Sequence, residues 1–94
     1  MSLDFYLVAY DISNNKRRRK LALILGDYGQ RVQKSVFEIW LEADTKKRLL
    51  KRLKRLLKTD EDSVRLYRLC ENCQRKVEVF GPGEGPQPPH TLII

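Results

Sequence analysis

The stretch Leu3-Asp4-Phe5-Tyr6-Leu7-Val8-Ala9-Tyr10-Asp11-Ile12-Ser13-Asn14-Asn15-Lys16-Arg17-Arg18-Arg19-Lys20 decides how this chain folds. Its first half alternates: Leu3, Phe5, Leu7 and Ala9 fall on one side, Tyr6, Val8 and Tyr10 on the other. Both sides are apolar, which predicts a central strand covered on two faces. Asp11-Ile12-Ser13-Asn14-Asn15 is a cluster of turn and helix N-cap types, so a helix should run from about Lys16 to Tyr28. Leu21, Ile24, Leu25 and Tyr28 then supply the i, i+3, i+4, i+7 spacing of a buried stripe, and Gly29 is placed to end the helix.

Downstream, residues 30–42 are rich in strand formers and are long enough for one strand or for two bent around Gln33-Lys34-Ser35. Asp44 or Thr45 is expected to cap a second helix reaching Leu57, with Leu49, Leu50, Leu53, Leu56 and Leu57 on its inner face. Thr59-Asp60-Glu61-Asp62 reads as a polar turn, Ser63 to Leu69 as a strand, and Lys76 to Phe80 as a further short strand. Gly81-Pro82-Gly83-Glu84-Gly85-Pro86 breaks any helix or ladder. The apolar end, His90-Thr91-Leu92-Ile93-Ile94, should add a strand or dock on a second subunit. The order predicts an α+β sandwich of ferredoxin-like βαββαβ type over residues 1–80. Residues 81–94 form a Gly/Pro loop with a C-terminal tail or strand. One sheet face is apolar without an obvious cover, the first hint of a homodimer.

A chain of 94 residues with 41% hydrophobic and 33% charged residues supports one small domain, not a multi-domain enzyme. Its longest apolar run, Leu21 to Leu25, is far short of the ~20 residues of a membrane span. The N-terminus lacks the basic-then-apolar layout of a secretory signal, and two cysteines are too few to staple a fold, so a reducing cytoplasm is expected. Nineteen Lys and Arg against twelve Asp and Glu give a net charge of +7, which suggests a polyanionic partner.

Three places carry candidate chemistry. Lys16, Arg17, Arg18, Arg19 and Lys20 crowd the start of a helix, where the macrodipole disfavours each cation by roughly 0.3–1 kcal/mol. A phosphate-binding cluster is the functional reading, a solvated basic cluster the bland one. The second tract is the outer face of the second helix: Lys46, Lys47, Arg48, Lys51, Arg52, Lys54, Arg55 and Lys58, uninterrupted by any acid. It reads either as a solvated face or as a contact for nucleic-acid backbone, with Lys47, Lys51 and Arg55 in line at i, i+4 spacing. No zinc-finger or aromatic RNA-recognition signature accompanies it, so any readout would be of shape and backbone.

Asp11 is the third. It closes an apolar strand next to the first basic cluster, where a carboxylate repels phosphate unless a divalent cation such as Mg²⁺ bridges the two. The ordinary alternative is a turn or N-cap aspartate. A single carboxylate is a thin metal site, so this reading depends on a two-fold dimer that brings two copies together. Cys70-Glu71-Asn72-Cys73 has C-x-x-C spacing but lacks the ligands of a structural zinc site. A redox pair would sit at a helix start, whereas a strand-connecting loop is expected there.

Tyr10-Asp11-Ile12-Ser13, the basic helix start, and Arg31-Val32-Gln33-Lys34-Ser35-Val36-Phe37-Glu38 together resemble the small CRISPR-associated adaptation proteins known as CRISPR-associated endoribonucleases. The resemblance spans residues 3 to about 80. It implies a ferredoxin-like homodimer whose C-terminal strand pairs with the partner's sheet, bridging copies of the CRISPR integrase subunit on a DNA fragment. It also implies a divalent metal held by Asp11 of both subunits, metal-dependent cleavage of RNA or DNA, and supporting roles for Arg17, Arg19 and Arg31. For some members the adaptor role needs no cleavage, so a non-catalytic DNA scaffold is the alternative. An RNA-cleaving toxin-like protein on the same fold is a third reading, which the resemblance disfavours.

Overall fold

The structure, a computed structural model, describes residues 2–87. It comprises β1 (Asp4–Asp11), α1 (Asn15–Gly26), β2 (Gly29–Gln33), β3 (Val36–Leu41), α2 (Ala43–Leu56), β4 (Ser63–Leu69) and the short α3 (Glu71–Gln74). The strands form one antiparallel sheet in the order β2-β3-β1-β4, with β1 between β3 and β4 as its twofold apolar pattern requires. This is the ferredoxin-like arrangement expected from the element order.

Alternation divides the strands between two faces. Tyr6, Val8 and Tyr10 of β1 and Phe37, Ile39 and Leu41 of β3 pack beneath Leu21 and Leu25 of α1 and Leu49 and Leu53 of α2. These residues are nearly inaccessible, and Leu50, Leu56 and Leu57 are half-buried around them. Asn14 caps α1, its side chain accepting the Arg17 N–H at 3.0 Å. By contrast, neither Asp44 nor Thr45 caps α2: the helix starts earlier, at Ala43, and its N-cap Glu42 makes no side-chain capping bond.

Residues 30–42 resolve into two strands, broken at Lys34-Ser35. Gly29 does not terminate α1, which ends at Gly26, but opens β2. A Cβ there would lie 2.0 Å from the Glu38 carbonyl oxygen, so only glycine lets β2 approach β3 this closely.

The expected strand over Lys76–Phe80 does not form. After β4 the chain turns into α3, and the N–H groups of Gln74, Arg75, Lys76 and Val77 bond back to carbonyls of residues 70–74. With these donors used, the chain leaves the β4 edge without a ladder, and no fifth strand exists among the described residues. The apolar tail from His90 to Ile94 lies outside the described residues.

The second sheet face carries Phe5, Leu7, Ala9, Asp11, Val36, Glu38 and Trp40. Residues 77–87 cover part of it, leaving a cavity of about 600 Å³ lined by Leu7, Glu38, Val77, Val79 and Phe80. The Trp40 indole N–H donates to the Gln87 carbonyl at 2.9 Å, and Phe5 meets the Trp40 ring edge-on at 5.1 Å. This face, expected to be uncovered, is therefore shielded in part by the chain itself. One oxygen of Glu38 is buried there without a hydrogen-bond partner, and burial pushes the carboxyl above its ordinary value.

Candidate nucleic-acid site at the end of β1

Three connections meet at one end of the sheet. Asp11 pairs with Ser63 at the start of β4, and the Tyr10 N–H donates to the Ser35 carbonyl at 3.1 Å. The β1–α1 loop, the β2–β3 turn and the α2–β4 turn therefore lie together. Tyr10, half-stacked on Phe37 at 6.3 Å, and buried Ile12 pin the backbone on either side of Asp11. Asp11 itself is exposed and makes no side-chain hydrogen bond or ion pair among the described residues. Its neighbours are fixed while its carboxylate remains accessible to a ligand.

Arg17 and Arg18 of the basic cluster bind into the fold itself. The Arg17 guanidinium grips Asp62 in bidentate fashion, at 2.7 and 3.2 Å, and reaches Glu61 at 3.2 Å. Asp62 is buried and also accepts the Lys58 N–H at 2.9 Å. Together the Arg17 fork and that backbone donor hold the Asp62 carboxyl below its usual range. Arg18 donates to the Ile12 carbonyl at 3.0 Å, the Ser13 carbonyl at 3.4 Å and the Asn15 side chain, closing the loop that follows Asp11. Lys16, Arg19 and Lys20 remain exposed. The unfavourable placement of cations at this helix start is thus explained in part by tertiary partners, in part by an open basic surface.

The α2 tract behaves differently. Lys47, Lys51 and Arg55 are exposed, and none of them forms an ion pair among the described residues. Fourteen helical residues carry this face over roughly 20 Å. The helix returns toward the Asp11 end, since its exit leads through Lys58 and Asp62 to Ser63.

Arg31 does not converge on Asp11. Its guanidinium lies over the Phe37 ring at 5.4 Å, on the helix-covered side, whereas Asp11 belongs to the other face. Two cations passed over by sequence reasoning do lie at this end. Lys34 sits in the β2–β3 turn, its carbonyl accepting the Tyr10 hydroxyl at 3.4 Å. Arg65 stands opposite Ala9, two positions along β4 from the partner of Asp11, and donates to the Tyr67 hydroxyl at 3.2 Å. The alternation Ser63, Arg65, Tyr67 was the available signal; it became informative only with the strand's register known.

No group of three or more His, Cys, Asp or Glu side chains that could hold a metal ion occurs among the described residues. At this end Asp11 is an accessible carboxylate without an ion-pair partner among the described residues, whereas Asp62 and Glu61 are engaged by Arg17. Mg²⁺ accepts one or two protein carboxylates, completing its shell with water and phosphate oxygen, so the donor chemistry fits when a second copy contributes.

Residues 4–77 match the model of the family described as CRISPR associated protein Cas2. A protein of Chloroflexus aurantiacus named CRISPR-associated endoribonuclease Cas2 1 is 45% identical over 91 residues, covering 96% of this chain and 98% of its own length. The crystal structure of Streptococcus pyogenes Cas2 at pH 6.5 superposes with a TM-score of 0.75 at 39% identity, covering 82% of this chain and 99% of that one. A chain from a structure titled partial Cas6-RT-Cas1–Cas2 complex superposes with a TM-score of 0.73 at 31% identity, covering 81% of this chain and 89% of that one. With the family model matching residues 4–77 and a relative matched almost end to end, this chain belongs to the CRISPR-associated Cas2 family.

Proposed function

We propose that this protein acts in CRISPR adaptation as a homodimeric, nucleic-acid-binding partner of the Cas1 integrase and as a metal-dependent endonuclease on RNA or DNA phosphodiesters. The observation that carries the reading is the accessible Asp11 carboxylate on a backbone held rigid by Tyr10 and Ile12, with exposed cations close by. Names of similar proteins, endoribonuclease Cas2 for one and a Cas1–Cas2 assembly for another, support the activity and the partner. The expected compartment is the cytoplasm, where the nucleic acid is. No helix among the described residues is long and apolar enough to cross a membrane.

The residues divide the work. Lys16, Arg19 and Lys34 attract the sugar-phosphate chain and orient it, while Arg17 and Arg18 act through the fold by holding the loop that presents Asp11. Asp11 of both subunits would hold the divalent cation, which when bound polarises a phosphate oxygen and lowers the pKa of water. The α2 face supplies further backbone contacts through Lys47, Lys51 and Arg55.

Asp11→Ala tests the catalytic part. Cleavage of labelled single-stranded RNA and duplex DNA should fall at least a hundredfold with Mg²⁺, matching wild type plus chelator, while circular dichroism and dimer mass remain unchanged. Undiminished cleavage refutes the role of Asp11. One observation favours the second reading, a non-catalytic DNA scaffold: the 14-residue α2 presents Lys47, Lys51 and Arg55 exposed and without ion-pair partners among the described residues. Under the scaffold reading Asp11→Ala retains spacer acquisition, whereas charge reversal of the exposed cations of Lys16–Lys20, namely Lys16, Arg19 and Lys20, or of the cations across Lys47–Arg55 destroys it.

A further inference from the structure

Cys70 and Cys73 stand apart from the site at the Asp11 end. Sequence reasoning set their spacing aside because a strand-connecting loop was expected, but the structure places them at the start of a helix directly after a strand. Cys70 is the N-cap of α3 and Cys73 its third residue, with the Cys73 N–H donating to the Cys70 sulfur at 3.4 Å. An N-cap side chain and the third helical residue face each other across one turn. Both thiols are exposed and unlinked. Neither belongs to a group of metal-ligating side chains that could complete a tetrahedral site among the described residues.

The two sulfurs are also unequal. The Cys73 N–H donates to Cys70 and holds its thiol below the ordinary value, while Cys73 is raised by the neighbouring Cys70. A thiol of lowered pKa is the one that attacks, and its neighbour is the one that resolves.

We propose that Cys70 and Cys73 form a reversible dithiol–disulfide pair that exchanges with low-molecular-weight disulfides. The Cys70 thiolate attacks one sulfur of the small disulfide, forming a mixed disulfide and releasing one thiolate, which takes the proton lost by Cys70. The Cys73 thiolate then attacks the Cys70 sulfur, closing the internal disulfide and releasing the second small thiol with the proton from Cys73. Two electrons pass from the cysteine pair to the small disulfide, so atoms and charge balance. The bond staples the turn from which residues 75–87 depart for the open sheet face. Those residues leave α3 through the Lys76 N–H to the Cys73 carbonyl, 3.1 Å, and end at the Trp40–Gln87 bond.

The test uses the full chain, reduced, freed of reductant and exposed to oxidised glutathione, then acid-quenched, alkylated with N-ethylmaleimide and weighed intact. The expected product is a single chain two hydrogens lighter than the reduced protein, with both alkylation sites lost and both restored by dithiothreitol. Cys73→Ser should halt at a glutathione adduct on Cys70, and Cys70→Ser should react at least tenfold more slowly than wild type. A stable glutathione adduct on wild type, a disulfide between two chains, or two thiols still alkylated each overturns the proposal. The wild-type arm decides without either variant.

Discussion

Lys16–Lys20 at the start of α1 and Lys46–Lys58 along α2 and its exit are both runs of positive charge uninterrupted by an acid, yet their surroundings differ. At α1, acids from the α2–β4 turn reach Arg17, and loop carbonyls reach Arg18, so this cluster is half structural. At α2 the cations face outward, with Lys46 over the Tyr6 ring at 5.0 Å and Arg48 on Thr45 as the side-chain contacts. A run of cations is thus a strut or a surface depending on what the rest of the chain brings to it. Only the surface kind is free for a polyanion.

The largest expected effect would break this contrast at α2. Replacing Lys47, Lys51 and Arg55 together by Glu should weaken binding to duplex DNA at low salt by on the order of a thousandfold. The slope of log affinity against log salt should fall by about 3, one unit for each lost phosphate contact. Unchanged affinity in a filter-binding or fluorescence titration would confine the interface to the Asp11 end.

Next in size is Arg17→Ala, which leaves Asp62 as a buried carboxylate without its fork. Thermal unfolding should shift down by several degrees, whereas Arg19→Ala, at an exposed position, should leave the midpoint in place and lower affinity alone. Equal effects from the two variants would erase the division between strut and surface.

The Arg17–Asp62 pair also sets an acid limit. Its carboxyl is held below the ordinary value of 3.8, so the folded state binds that proton less readily than the unfolded chain. The stabilisation is complete above that ordinary value and is lost as pH falls through the lowered one. Wild type should therefore lose more stability than Asp62→Asn between pH 5 and the acid limit in denaturant titrations at stepped pH. Parallel curves would contradict the pairing.

The smallest effect sharpens the other side. Lys51→Glu replaces like-charge neighbours at i−4 and i+4, Lys47 and Arg55, by opposite-charge ones. Stability should rise by a few tenths of a kcal/mol while nucleic-acid affinity drops. A helix gaining stability as it loses its ligand identifies charge retained for binding.

Much of this architecture was legible in the chain because the relevant forces are local. Alternation marked β1, the apolar stripes marked α1 and α2, Asn14 stood in the cluster of capping residues, and the Gly/Pro stretch stopped regular structure. Asp11 was legible as a strand-end carboxylate beside positive charge. Less legible was which cations serve the fold. Arg17 and Asp62 are separated by 45 positions, and nothing in either neighbourhood indicates the other.

By itself the sequence determined the order and character of the elements, since periodicity and capping act within a few residues and survive in any tertiary context. Tertiary structure alone decided that Arg17 meets a buried acid, that Arg31 lies across the sheet from Asp11, that residues 77–87 fold over the open face, and that Cys70 caps a helix where a loop was expected. Each depends on strand register and on where backbone donors find acceptors, and these are set by the closure of the whole sheet.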